Sequence, residues 1–131
     1  MYISVMKIIK TSNAILSRNV NNIVCLKFPN KTTHSLKAMK EHLKAVNDLD
    51  QSNSGVLLLV YMANLVGVSK ESRTMVSNIE MTKAHKAVAM IVSNPLTKLI
   101  ASFFLGLNKP NFPIQSFTSK DEAVAWLLKQ S

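Results

Sequence analysis

Two uninterrupted apolar runs, at residues 56–62 and 87–92, are the strongest features in the pattern of hydrophobic and polar positions. Runs of this kind are typical of strands that are covered on both faces, as in a parallel sheet. The segments around them have helical periodicity, and a helix that joins two parallel strands crosses over one face of their sheet. The pattern therefore predicts two adjacent strands in the middle of a sheet, with helices on both of its faces.

Two amphipathic helices are predicted in the first two thirds of the chain. The first covers residues 34–47, with Thr33 as its N-cap. Its apolar positions follow one helical stripe, which consists of Leu36, Met39, Leu43 and Val46. The second helix begins after Ser69, which is its predicted N-cap, and reaches about residue 83.

Two further helices are predicted in the last third of the chain. The first of them has Asn94 as its cap and Pro95 at its first position, where the missing N–H group costs nothing. Its predicted buried stripe consists of Leu96, Leu99, Ile100, Phe103 and Leu107. A short strand at residues 114–117 then precedes the final helix, for which Ser119 and Glu122 form a capping box.

A hairpin is predicted before the first helix. Its strands are residues 13–18 and 23–28, because the asparagine-rich residues 19–22 between them favour a tight turn. The resulting order, ββαβαβαβα, predicts an α/β fold with a mixed, mostly parallel sheet of four to five strands and helices packed on it. We expect residues 1–131 to form a single domain, in which residues 1–12 are either an extra strand or an N-terminal arm.

Composition is that of a globular domain. The 131 residues are 47% hydrophobic, which is enough to build one core. No segment approaches the ~20 apolar residues of a membrane span, and the N-terminus lacks the layout of a signal peptide, so we expect a cytoplasmic protein. The single cysteine, Cys25, excludes an internal disulfide and lies in an apolar run, which predicts a buried structural thiol.

The net charge of +9 raises the question of nucleic-acid binding. Lys37, Lys40 and Lys44 recur at helical spacing and line one basic stripe. No aromatic residues alternate with the basic ones, as a platform for stacked bases requires. We therefore interpret the charge as a solvated basic face and do not expect a nucleic-acid partner.

The sequence contains no catalytic signature. Three histidines, His34, His42 and His85, are not spaced as metal ligands, and we expect them at the surface. Asp121 and Glu122 are adjacent in the first turn of a helix, where acids favour the helix dipole and do not form an acid–base pair. Three glycines are too few for a glycine-rich phosphate loop. We expect no enzyme activity, no cofactor and no metal site.

Several segments of the C-terminal part are distinctive as sequences. They are residues 68–73 (VSKESR), 103–110 (FFLGLNKP) and 112–119 (FPIQSFTS), followed by Glu122-Ala123 and Trp126-Leu127. With these segments the chain resembles the SpoIIAA-like (STAS) superfamily, in particular its small bacterial STAS/SEC14-like proteins, over about residues 13–130. The resemblance implies a SpoIIAA-like fold and a non-enzymatic module that acts by binding, and it transfers no specific activity.

The resemblance also implies a candidate regulatory phosphorylation site. Anti-sigma-factor antagonists of the superfamily carry Asp-Ser-Ser-Gly at the start of the helix after the central strand, and phosphorylation of the second serine switches partner binding. Ser72 takes that position here, next to the N-cap Ser69, while Lys70 and Arg73 replace the Asp and the Gly. A phosphate would gain from the helix dipole and from Arg73, although both serines are equally typical of an ordinary helix start.

The apolar helix at residues 96–107 is the remaining candidate binding surface. Its candidate contact residues are Phe103, Phe104, Leu105 and Leu107. An exposed Phe104 or Leu105 would indicate a contact with another protein or a second copy, whereas buried phenylalanines would simply be core. Our first hypothesis is a protein–protein interaction module. The alternative is a carrier or sensor of an apolar small molecule or lipid beneath this helix, which the SEC14-like resemblance implies.

Overall fold

A computed structural model describes residues 7–19 and 21–131 of the chain. In chain order the elements are β1 (Lys7–Lys10), β2 (Ile15–Arg18), β3 (Ile23–Lys27), β4 (Thr32–His34), α1 (Leu36–Leu49), β5 (Val56–Tyr61), β6 (Leu65–Val68), α2 (Lys70–Met75), α3 (Ile79–Ala84), β7 (His85–Ile91), α4 (Pro95–Leu105), β8 (Ile114–Phe117) and α5 (Lys120–Lys129). No helix within these residues is long and apolar enough to cross a membrane.

The two apolar runs form β5 and β7, which are parallel neighbours at the centre of a six-stranded sheet. The strand order is β1-β2-β3-β5-β7-β8, in which β1, β2 and β3 are antiparallel and the pairs from β3 to β8 are parallel. This arrangement confirms the predicted mixed, mostly parallel α/β sheet and its opening hairpin. The predicted number of four to five strands was too low, because β1 pairs with β2 as a sixth strand. Residues 7–10 of the N-terminal segment are therefore a strand, whereas residues 1–6 lie outside the described residues.

The alternation of side chains along the central strands separates two cores. Leu57 and Leu59 of β5, with Ala87 and Ala89 of β7, face α5 and pack against its buried residues Ala123 and Leu127. The small alanines let α5 lie close to the sheet. The intervening positions, among them Leu58, Val88 and Met90, face the opposite side, where α1, α3 and α4 cover the larger core.

The structure also contains a second, two-stranded parallel sheet of β4 and β6, which the sequence did not predict. The predicted N-cap Thr33 lies inside β4, and α1 instead begins after Ser35, whose hydroxyl accepts a hydrogen bond from the backbone N–H of Ala38. The two strands come close together: a Cβ added at Gly67 would lie 3.2 Å from the Thr33 hydroxyl. The short strand therefore uses the residues that were expected to start the helix.

The helix between β6 and β7 is also divided. Ser69 caps α2 as predicted, because its hydroxyl accepts from the N–H of Ser72. Asn78 then caps a separate α3 by accepting from the N–H of Glu80. Asparagine competes for backbone hydrogen bonds in this way, which favours a new helix start over an uninterrupted helix.

The N-caps of the last two helices are the predicted residues, but the predicted capping box of α5 is only half formed, since no return hydrogen bond from Glu122 to Ser119 is present in the described residues. Asn94 and Thr97 form a reciprocal capping box at the start of α4, with Pro95 in its first position. Ser119 caps α5 by accepting from the N–H of Glu122. Together with Ser69, these N-caps fix where α2, α4 and α5 begin, because each side chain accepts a hydrogen bond from the first turn of its helix.

Candidate functional site

A cavity of about 100 Å³ lies in the larger core, between the sheet and the helices α1, α3 and α4. Its lining is apolar except for three histidines, and four of the chain's seven methionines contribute to it: Met39, Met62, Met81 and Met90. Phe104 of α4, with Pro110 and Phe112 of the connection to β8, belongs to the same lining. The cavity is therefore the one place in the described core where flexible apolar side chains and imidazoles meet.

The three histidines are not at the surface, and that prediction was wrong. The exposed fractions of His34, His42 and His85 are 7%, 6% and 2%. His34 ends β4, His42 lies on the buried face of α1, and His85 begins β7. A signal was present in the sequence, because His42 follows the core residue Met39 by three positions on the same helix face.

A hydrogen-bond chain connects two of these imidazoles. Nδ1 of His85 lies 2.8 Å from the carbonyl oxygen of Met81, and Nε2 of His85 lies 2.9 Å from Nε2 of His42. The two ring planes are nearly parallel, at 11°, with centroids 5.1 Å apart. The chain ends at Nδ1 of His42, which is buried and has no hydrogen-bond partner among residues 7–19 and 21–131.

Burial keeps all three imidazoles neutral near pH 7. Desolvation lowers the pKa of His85 to about 4, against the opposing effect of the Met81 carbonyl. Desolvation also lowers the pKa of His34 to about 4, although the Glu41 carboxylate favours its charged form. The pKa of His42 is held well below its usual value by desolvation and then by the neighbouring His85 and His34. A charged imidazole is therefore disfavoured throughout this cluster.

Aromatic contacts extend the cluster at both ends. The His34 ring meets the rings of Phe28 and His42 edge-on, with centroids 5.8 Å and 6.4 Å away. The His85 ring packs at 5.2 Å from the ring of Phe112. Among the residues that the structure describes, no three metal-ligating side chains are grouped to hold an ion. The cluster is thus a packed row of neutral rings along one wall of the cavity.

Helix α4 buries a different face from the predicted one. Thr97, Ile100, Ala101 and Phe104 are its buried residues, whereas Leu96, Leu99, Leu105 and Leu107 are 43%, 56%, 37% and 92% exposed. The prediction that Leu96, Leu99 and Leu107 face the core was therefore wrong. The helix is apolar around most of its circumference, so periodicity alone does not identify the buried side. The capping role of Thr97 turns that side chain inwards.

The candidate phosphorylation site lies at the start of α2. Ser72 is fully buried, and its hydroxyl has no hydrogen-bond partner in the described part of the chain. Arg73 is already engaged, because its Nη1 donates to the carbonyl oxygen of Val68 at 2.9 Å and its guanidinium lies 4.8 Å from the ring centroid of Phe103. A phosphate on Ser72 therefore requires α2 to leave the core.

The predicted basic stripe is exposed on α1, at Lys37, Lys40 and Lys44. Lys40 and Lys44 share a shallow groove with the carboxylates of Asp48, Glu71 and Glu80. Acidic groups in the same groove reduce its attraction for phosphates.

The remaining candidate, Cys25, is half-buried rather than fully buried. It packs at the edge of the smaller core, on the α5 side of the sheet. Desolvation raises the pKa of its thiol against the opposing charges of Lys120 and Lys27. A neutral thiol with a raised pKa is a poor nucleophile, which is consistent with a structural role.

The sheet and the helices on its two faces have the arrangement of a SpoIIAA-like α/β fold. A solved structure supports this class: the chain is similar to an uncharacterised protein of the DUF3478 family from Shewanella loihica PV-4, which has a SpoIIAA-like fold. The TM-score is 0.55 and the identity 14%, over 97% of each chain, so the likeness concerns the fold alone. The predicted SpoIIAA-like resemblance is confirmed.

The chain belongs to the DUF7793 family, a domain of unknown function whose family model matches residues 17–131. No curated protein matches it in sequence. Family membership therefore gives the chain a class but assigns it no activity.

Proposed function

We propose that this chain is a non-enzymatic binding module that docks another protein on the outer face of α4. The observation that carries the proposal is the concentration of exposed leucines on that helix. Of the eight large hydrophobic side chains exposed in the described residues, four lie on α4 and the turn after it. Scattered surface leucines need no explanation, but a cluster on one helix is typical of an interaction site.

The exposed leucines form a stripe. At about 100° per residue, Leu96, Leu99 and Phe103 fall on one side of α4, and Leu107 follows beyond its end. The half-buried Phe103 is held by the Arg73 guanidinium above its ring, so the stripe borders α2. Leu105 lies on the opposite flank of the helix. The docking face therefore extends from α4 to α2, the helix whose N-cap is Ser69.

Charge indicates the kind of partner. Residues 94–111 contain Lys98 and Lys109 and no acidic residue, within a chain of net charge +9. The Arg73 guanidinium lies over Phe103 in the stripe, so pairing the same face of two copies across a twofold axis would bring two such cations together and would be opposed by repulsion. We therefore propose a different protein, whose apolar contact surface is bordered by Asp and Glu side chains.

Site-directed photo-crosslinking in cells tests this proposal. A photoreactive phenylalanine analogue in place of Leu99 should give one discrete crosslinked product with an acidic partner, and the same analogue in place of Leu128 of α5 should not. Leu128 is a suitable control because it is also an exposed leucine on a helix, at 43%. A crosslink only to a second copy of the chain, or equal products from both positions, would refute the proposed partner.

A matched pair of variants supplies the binding measurement. Leu96→Asp places a charge in the stripe, whereas Leu128→Asp places it at an equally exposed leucine on α5. The first should weaken binding of the crosslinked partner by tenfold or more, on the order of 1.4 kcal/mol, and the second should leave it unchanged. Raised salt should also weaken binding, because charges contribute at the rim.

A second function, the binding of a small apolar molecule, is favoured by the cavity beneath α4. Its lining is apolar over all but the three histidines, and ligand sites in proteins are mostly of this kind. The two functions use different sides of the helix, since Phe104 lines the cavity and Leu96 and Leu99 do not. Loss of one function by mutation therefore leaves the other testable.

A further inference from the structure

The imidazole chain ends at an acceptor that has no partner in the described part of the molecule. Its direction follows from the Met81 carbonyl, which can only accept, so the proton of His85 is on Nδ1. A neutral His85 then has a bare Nε2, and the 2.9 Å contact requires His42 to donate from its own Nε2. The neutral His42 is left with a lone pair and no proton on Nδ1.

This lone pair lies in an unusual place. His42 is more than nine-tenths buried, it belongs to the cavity lining, and its Nδ1 has no partner in the described ranges 7–19 and 21–131. Buried polar atoms in native proteins are nearly always hydrogen-bonded, because an unpaired one loses its contact with water without replacement. Within the described residues, therefore, nothing donates a hydrogen bond to this nitrogen.

The cavity limits what can supply that donor. At about 100 Å³ it is smaller than the roughly 150 Å³ apolar cavity that takes benzene, so it holds a short branched chain as it stands and holds one small ring when the flexible methionines of the lining move outwards. Apart from the histidines, every lining side chain is apolar, so a charged group would be buried at high cost. A lone water needs two to four polar partners, which such a lining supplies poorly.

We propose that the cavity binds a small uncharged alcohol or phenol, whose hydroxyl donates to Nδ1 of His42 and whose apolar body lies among the methionines. This inference rests on the second proposed function and specifies its ligand. The Met81 carbonyl and His85 act as positioning groups, because they fix the tautomer that makes His42 an acceptor. The site then selects a hydroxyl over an apolar group of the same size.

Phenol and fluorobenzene are suitable probes, because they have nearly the same shape and only phenol can donate. The chain provides its own reporters: methyl-labelled Met39, Met62, Met81 and Met90 line the cavity, and Met75 does not. Phenol should shift the four lining methyl resonances and leave Met75 in place. Phenol should bind about tenfold more tightly than fluorobenzene, which is the effect of one buried hydrogen bond.

The outcomes distinguish the hydroxyl inference from the proposal that the cavity binds a small apolar molecule. If phenol and fluorobenzene bind equally, the hydroxyl inference is overturned and apolar binding remains. If neither shifts the lining methionines, both are overturned. A bound water that stays on His42 in a crystal soaked with phenol overturns the hydroxyl inference alone. In His42→Leu the advantage of phenol should fall to less than about twofold while fluorobenzene still binds.

A measurement without mutation protects the test if His42→Leu does not fold. Nitrogen-15 spectra of the unmodified protein distinguish the tautomers of its three imidazoles. His42 should carry its proton on Nε2, His85 should carry its own on Nδ1, and phenol should move the Nδ1 resonance of His42 towards a hydrogen-bonded position. A proton on Nδ1 of His42 would overturn the proposal.

Discussion

Acidification from pH 7 to pH 5 is expected to lower the free energy of unfolding by about 4 kcal/mol or more, because three histidines are buried in neutral form. The folded-state pKa is about 4 for His34 and for His85, and it is well below the usual value for His42. In the unfolded chain each imidazole titrates near its ordinary pKa of 6.5. Between these values the unfolded state takes up protons that the folded state does not.

The sign and size follow from that difference. Well above pH 6.5 both states are neutral and the full stability is present; it is lost as the pH falls through 6.5 towards 4. At pH 5 His34 and His85 each cost roughly 2 kcal/mol, since one pKa unit corresponds to about 1.36 kcal/mol, and His42 adds a loss of the same sign. This loss approaches the lower end of the stability of a typical domain, so the protein should be close to unfolding at pH 5.

Urea unfolding at a series of pH values measures this loss, with fluorescence of the single tryptophan, Trp126, as the probe. Asp50 does not contribute in this window. Partial burial would raise its pKa, but hydrogen bonds from Ser52, Gly55 and Asn22 hold that pKa below the usual value, so its effect appears below about pH 4. The window from pH 7 to pH 5 therefore reports the histidines.

His34→Leu is the matched control, because it removes one titrating ring and leaves the His42–His85 hydrogen bond intact. The loss between pH 7 and pH 5 should fall by about one third, which is one proton fewer in the difference between the two states. A free energy of unfolding that stays constant over this range would refute the reasoning. An unchanged pH dependence in His34→Leu would show that this ring is already charged when folded.

Substitutions at two buried positions, Ser72 and Leu127, test the packing of α2 and α5. Ser72→Ala should raise the free energy of unfolding by about 1 kcal/mol, because it removes a buried hydroxyl that has no partner in the described residues. Ser72→Glu should lower the free energy of unfolding by several kcal/mol, because it buries a charge. If urea unfolding gives wild type and Ser72→Glu the same stability, α2 opens readily and the serine is accessible. Leu127→Ala should lower the free energy of unfolding by about 2–5 kcal/mol, since Leu127 is fully buried, whereas Leu128→Ala should change it by no more than about 0.5 kcal/mol. Similar losses for both variants in the same urea assay would contradict the position of α5.

The fold was predictable where local sequence decides the structure. Continuous apolar runs identify the central strands, and Ser69, Asn94 and Ser119 begin helices because their side chains accept from N–H groups within the next three residues. The β4–β6 pair was not predictable in this way. Its strands have only three and four residues, which is too short for a periodic pattern. The two strands are also roughly thirty positions apart in the sequence, so neither segment indicates its partner.

The site was less predictable because its chemistry depends on distant partners. A histidine is compatible with the surface and with the core, and its role is decided by what its two nitrogens meet. The hydrogen bond between His42 and His85 spans 43 positions in sequence. The helix repeat places His42 on the buried face of α1, yet only the fold supplies the Met81 carbonyl that determines the direction of the chain.

Helix α4 shows most clearly where pattern and packing differ. Its leucines and phenylalanines surround the axis, so the sequence indicates an apolar helix without indicating which side the sheet takes. The structure places Ile100 and Phe104 inside and leaves Leu96 and Leu99 in solvent. A helix that only had to cover the sheet would gain solubility from polar residues on its outer side. Two apolar sides on one helix are explained if the outer side has its own binding partner, and this is the physical basis of the docking proposal.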